Sequence, residues 1–171
     1  MVNKMSSFKR SVIVPMMMLS LAVSTGGSSV EPAPAAQTRA PRRVNFEEYK
    51  TAYEISSQGC SRAPALVCTI TIQRVGDGRD NGLVVYAQSS GGTSTVAVSG
   101  KRYPATGVRL ANSRQPFPHD KYWKTYADGE ESMIELEFAD AGPATVSQFA
   151  VAITALAGSQ RVIRFEHPGG N

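Results

Sequence analysis

Leu66-Val67-Cys68-Thr69-Ile70-Thr71-Ile72-Gln73-Arg74-Val75 alternates strictly, with Cys68, Ile70 and Ile72 on one face and Thr69, Thr71 and Gln73 on the other. A period of two marks a strand with one face buried, and this stretch sets the reading of the whole domain as mainly β. Downstream, the turn-rich Gly76-Asp77-Gly78-Arg79-Asp80-Asn81-Gly82 leads into Leu83 to Gln88, which reads as the returning strand of a hairpin. Gly91-Gly92 marks a reversal before the strand Thr93 to Ser99, and Val108 to Ala111 is a further short strand. Lys121 to Ala127 and Ser132 to Ala139, joined across Asp128-Gly129-Glu130-Glu131, read as a second hairpin with Ile134, Leu136 and Phe138 inward and Glu135 and Glu137 outward. Short runs separated by turns favour antiparallel pairing.

One segment carries helix signals. Thr145-Val146-Ser147-Gln148 fits a capping box, Pro143 precedes it and Gly158 stands where a helix would stop. Val146, Phe149, Ala150, Ile153, Leu156 and Ala157 recur at three and four residues, which predicts an amphipathic helix. Arg161 to Glu166 resumes as a strand, with Val162 and Arg164 on one face and Ile163 and Phe165 on the other. The expected architecture is an antiparallel β-sandwich or half-barrel with one late helix.

The N-terminus reads as an export signal spanning residues 1–26: Lys4, Lys9 and Arg10 precede an apolar run that ends at Val23 and a small-residue stretch from Ser24. The run of about 12 apolar residues falls short of the roughly 20 that a spanning helix needs, so no transmembrane helix is expected in the mature chain. No cysteine follows the run to take a lipid. Residues 27–43, rich in Gly, Ser, Pro and Ala, bury too little to offset the entropy of ordering and read as a flexible tether. Its Arg39-Ala40-Pro41-Arg42-Arg43 cluster is either solvated or a contact for anionic lipid or cell-wall polymer. A single domain is expected over residues 44–171. The formal charge of +4 invites a nucleic-acid reading, but the residues from Val44 onward hold 12 basic and 13 acidic groups. That balance argues against nucleic acid as a partner.

Cys60 and Cys68 are the two cysteines, and an exported chain meets an oxidising compartment. A disulfide closing a short loop is expected; a redox pair or metal site is the alternative, disfavoured by the lack of Cys-x-x-Cys spacing and of a neighbouring histidine. Candidate chemistry is thin. No Gly-x-Ser-x-Gly elbow occurs, His119 and His167 are the available histidine bases, and Glu130, Glu131, Glu135 and Glu137 could pair for sugar hydrolysis but alternate as an exposed face would. No metal, cofactor or catalytic residue is assigned.

The most function-like stretch is aromatic. Phe117, Tyr122, Trp123 and Tyr126 interleave with Lys121 and Lys124. In an extended strand Tyr122, Lys124 and Tyr126 share a face, with Trp123 on the other, so Trp123 is expected inside. Phe117, Tyr122, Lys124 and Tyr126 then form the candidate binding strip, since amphipathic rings suit protein partners and sugar stacking.

The leader, the Pro/Ala-rich tether, the cysteine-bearing first β unit, Gly107-Val108-Arg109-Leu110 and Gly158-Ser159-Gln160-Arg161-Val162-Ile163-Arg164-Phe165 together give a pattern. It resembles the invasion-associated locus B family of Gram-negative envelope proteins over Tyr49 to Phe165. The chain departs from that family in having no second cysteine pair between Tyr126 and Pro143 and no strand following the closing one. The resemblance implies a periplasmic or surface β-rich protein without catalytic residues, linked to host-cell entry or envelope integrity, and it carries over no binding residues. The expected function is thus a non-enzymatic envelope protein that binds a protein or cell-surface glycan, as an accessory factor of a surface assembly or a colonisation factor. A small periplasmic enzyme acting on cell-wall polymer or glycan is the alternative, and a protein inhibitor using the loop Gly76 to Gly82 is a third.

Overall fold

In the computed structural model the described residues are 40–46, 50–62, 64–76, 78, 82–113, 116–117, 119–155 and 158–168. They form thirteen strands: β1 (Arg42–Phe46), β2 (Thr51–Arg62), β3 (Leu66–Arg74), β4 (Gly82–Tyr86), β5 (Gln88–Ser89), β6 (Gly92–Thr93), β7 (Thr95–Val98), β8 (Lys101–Pro104), β9 (Gly107–Leu110), β10 (Lys121–Thr125), β11 (Glu131–Phe138), β12 (Val146–Ala155) and β13 (Arg161–Glu166). The first sheet has the order β1-β2-β3-β11-β9; the second runs β10-β4-β12-β7-β8, with β13 also on β12, and every pairing is antiparallel. No helix of the described residues is long and apolar enough to cross a membrane.

The alternation that opens the sequence reading puts Cys68, Ile70 and Ile72 fully inside, as are Ile134, Leu136 and Phe138 of β11. They pack in one core with Leu83, Val85, Val96, Phe149, Val151, Ile153 and Phe165 from the second sheet. The result is the β-sandwich of the expectation, in which each sheet buries one face of its pleat against the other.

The late helix is not there. Val146–Ala155 is a strand, because the apolar run Phe149-Ala150-Val151-Ala152-Ile153 is buried on both faces, and a wholly apolar run satisfies helical spacing as readily as extended spacing. The residues of the supposed capping box do strand work instead: Ser147 Oγ donates to the Ala97 carbonyl at 3.1 Å, and Gln148 Nε2 donates to Glu166 Oε1 at 2.8 Å. Leu156 and Ala157, counted in the helical stripe, lie outside the described residues.

Both expected long hairpins are also corrected. β3 pairs with β2 and β11 rather than with β4, and β10 lies in the other sheet from β11. The chain crosses between sheets at both turns, since an inward apolar face fits either layer. The domain starts earlier than expected as well: Arg42 and Arg43, read as tether, pair with Ile55 and Glu54 of β2. The leader and residues 27–39 of the tether lie outside the described residues.

β12 is the centre of the second sheet. Ala152 stands opposite Val162 of β13 on one flank and Tyr86 of β4 on the other, while Ala150 stands opposite Arg164 and Thr95 of β7. β4 and β7 therefore occupy one flank end to end, as a single row broken by residues 87–94. The break is sealed by Ser94, which is fully buried: its Oγ donates to the Tyr86 carbonyl and accepts the Ala152 N–H at 3.0 Å. The Ser94 N–H donates to the Ala87 carbonyl at 2.8 Å, closing the base of the excursion. The excursion itself, the β5–β6 hairpin, folds over the outer face of the sheet. A Cβ at Gly91 would lie 2.6 Å from the Tyr86 ring, and one at Gly92 would lie 3.0 Å from the Ala152 Cβ, so the hairpin is flat because both positions lack side chains. This cover explains why Ala152, which points away from the core, is buried.

Candidate functional site

β10 carries the aromatic stretch along the margin of the second sheet. Its register sets Tyr122 opposite Val85 and Lys124 opposite Leu83, both core residues, while Trp123 stands opposite Val84 on the outer face. The expected facing is therefore inverted. Trp123 is 54 % exposed, the most exposed large hydrophobic side chain described, whereas Tyr126 is buried and Tyr122 is half-buried against the core. Two adjacent aromatic residues fix a strand's pleat but not its phase, and the phase here is set by partner β4, whose Leu83 and Val85 must face inward.

Of the four residues expected to bind, three are engaged within the fold. Tyr126 packs edge to face on Tyr53, with ring centroids 5.7 Å apart. Lys124 Nζ lies 5.1 Å from the Tyr126 ring centroid and 2.7 Å from Glu130 Oε1, and it donates to Ser132 Oγ. Phe117 is half-buried beneath Arg109, whose guanidinium carbon is 4.1 Å from the ring centroid and whose Nε donates to Glu135 Oε2 at 2.8 Å. These contacts tie loop to sheet, and they leave Trp123, not the tyrosines, as the free aromatic surface.

Electrostatics agree with that division. Burial pushes the Tyr126 phenol above its usual value, with Tyr122, Tyr53 and Glu130 adding to the rise and a hydrogen bond with Ser132 opposing it. The Glu130 carboxyl is held below its usual value by Lys124 and then by the Ala127 N–H, which donates to Oε2 at 2.8 Å. A phenol that ionises less readily in the folded chain than in the unfolded one contributes stability that is fully present below about pH 10, the unfolded value, and is lost as pH rises above it. Thermal melts between pH 9 and 11.5 are accordingly expected to fall more steeply for the wild type than for Tyr126→Phe; parallel curves would refute the assignment.

Around Trp123 the outer face is mixed. The row Trp123, Val84 and Thr154 runs across β10, β4 and β12, beside a second row of Lys121, Tyr86, Ala152 and Val162 that the β5–β6 hairpin partly covers. Lys121 and Thr125 flank the indole and are exposed. The platform is thus a flat indole with hydroxyl and ammonium neighbours, set on paired strands.

The residues weighed for catalysis are dispersed. His119 is exposed and its carbonyl accepts the Val108 N–H at 3.0 Å, joining β9 to the second sheet; His167 is exposed beyond β13, with φ of 44° and its N–H donated to the Ser147 carbonyl. Neither lines the grooves of about 440 and 430 Å³ among the described residues. Glu130 and Glu135 are each held in an ion pair, and Glu137 Oε2 accepts from Thr106 Oγ1 at 3.3 Å. Among the described residues no three His, Cys, Asp or Glu side chains cluster as a metal site. Cys60 and Cys68 face each other across β2 and β3 and are joined as a disulfide. Closing a loop of about nine residues contributes roughly 2.6 kcal/mol in the chain-entropy account.

The fold and surface define an antiparallel β-sandwich with an aromatic platform on one sheet. No protein family, curated protein or solved structure matches this chain.

Proposed function

We propose that this is an exported, non-enzymatic cell-envelope protein that works by binding, as an accessory factor of a surface assembly or a colonisation factor, and that the Trp123 face of the second sheet is its contact surface. The observation that carries the proposal is the outward placement of the chain's single tryptophan on a sheet whose other large aromatic residues are turned inward or covered. Large amphipathic rings dominate the energy of recognition surfaces, and one held on a paired strand loses little entropy on binding. The export reading of the leader and the disulfide support an oxidising location, periplasmic or at the surface. The engagement of Lys124, Glu130, Glu135 and Tyr126 in internal contacts favours binding over sugar hydrolysis.

The same residue supplies the test, because its fluorescence is the chain's only indole emission. Titration with fractionated envelope protein or glycan is expected to shift that emission to the blue as the ring leaves water. Trp123→Ala is expected to weaken partner capture at least thirtyfold, on the order of 2 kcal/mol for an anchor residue, with an unchanged melt. Capture that persists in Trp123→Ala would overturn the assignment.

A further inference from the structure

The two sheets meet at one margin, where the Val108 N–H of β9 donates to the His119 carbonyl just ahead of β10, and part at the other. There β1 pairs only with β2 and β13 only with β12 among the described strands, so two strand edges face each other across a groove of about 430 Å³. Arg42, Arg43 and Val44 line one side and Val162, Arg164 and Glu166 the other. We propose that this seam takes an acidic, extended segment of a partner protein, added as a strand between β1 and β13.

Three observations carry the proposal. Each edge presents a row of backbone N–H and C=O groups of the kind that strand addition uses. The groove is cationic: Arg42, Arg43 and Arg164 form no ion pair among the described residues, and the one carboxylate of the lining, Glu166, already accepts from Gln148 at 2.8 Å. Arg42 crosses the seam to lie 6.0 Å from the Phe165 ring centroid, and Arg43 Nε donates to Asn45 Oδ1 at 3.3 Å. The third observation is apolar surface between the charges, with Val162 41 % exposed and Val44 half-buried. Arg42 and Val44 share one face of β1, and Val162 and Arg164 share one face of β13, so a segment lying here meets both cationic and apolar groups along its length. The fitting sequence combines acid and apolar residues in an extended segment. A second copy of the chain would set arginine against arginine, and a lipid headgroup would leave the backbone edges unpaired.

The probe is a blocked decapeptide of alternating Glu and Val, titrated into the exported protein and read by calorimetry and amide hydrogen exchange. Binding is expected with slowed exchange confined to β1 and β13, and the affinity is expected to fall as salt screens the arginines. Arg43→Ala and Arg164→Ala, both at exposed positions, should each weaken it about fivefold with unchanged melts, whereas Trp123→Ala should leave it unaltered. A peptide with proline in place of each valine keeps the charge but cannot pair, and it should not bind. The proposal is overturned if the Glu/Val peptide does not bind, if the proline peptide binds equally, which would make the seam a general polyanion surface, or if the arginine variants bind as the wild type does. Sedimentation is expected to show a monomer; a dimer that either arginine substitution dissociates would assign the seam to a second copy instead.

Discussion

Phe149→Ala is expected to destabilise the domain by about 3–5 kcal/mol, the range for removing a fully buried aromatic side chain. Phe149 lies at the middle of β12 with no exposed surface, edge to face with Phe138 of the opposite sheet at 6.0 Å and tilted against Phe165 of β13 at 5.9 Å. Truncation leaves a void bounded by two rings belonging to two sheets, and a paired ladder on each side of β12 keeps the backbone from collapsing into it. Denaturant titration measures the loss; a value under about 1 kcal/mol would show that Phe149 does not join the layers as described.

Ser94→Ala is expected to cost about 2–4 kcal/mol, a large penalty for removing one oxygen. The hydroxyl serves two buried backbone groups at once, the Ala152 N–H and the Tyr86 carbonyl, and each buried group left without a partner costs about 1–3 kcal/mol. The loss should be local as well as global, with the Ala152 amide exchanging faster in the variant because its acceptor is gone. A cost below about 1 kcal/mol with unchanged exchange would mean that water replaces the hydroxyl and that the break in the β4–β7 row needs no side-chain seal.

Much of the strand pattern was legible because alternation is written locally. Leu66–Arg74 and Glu131–Phe138 each show one apolar and one polar face and are strands with the expected residues inside, and Arg161–Glu166 is a strand as expected, with Ile163 and Phe165 inside. What sequence could not show was which layer a strand joins, since Leu83 and Ile134 are equally apolar and the crossing turns resemble hairpin turns. β12 was misread because its outer face is covered by the hairpin at residues 88–93, sixty residues earlier, and a strand buried on both faces loses its alternation. The candidate surface failed for a related reason. Lys124 marks an outward face in a lone strand, but pairing with β4 sets it on the face of Leu83 and Val85, where Glu130 and Ser132 hold its ammonium, and so turns Trp123 outward. The seam was invisible because Arg42 and Arg164 are far apart in the chain and each lies in a locally unremarkable segment.

The position of β12 along the polypeptide governs when the chain can fold. β4 with β10, and β7 with β8, are separate two-stranded ribbons until β12 lies between and alongside them, and β12 begins only at Val146. Two-stranded ribbons are marginal alone in water, so a nascent chain that has reached residue 140 holds half a sandwich whose second layer has no centre. Such a chain cannot close its second layer until Val146–Ala155 and Arg161–Glu166 have been made, so the sandwich forms late in synthesis of this domain.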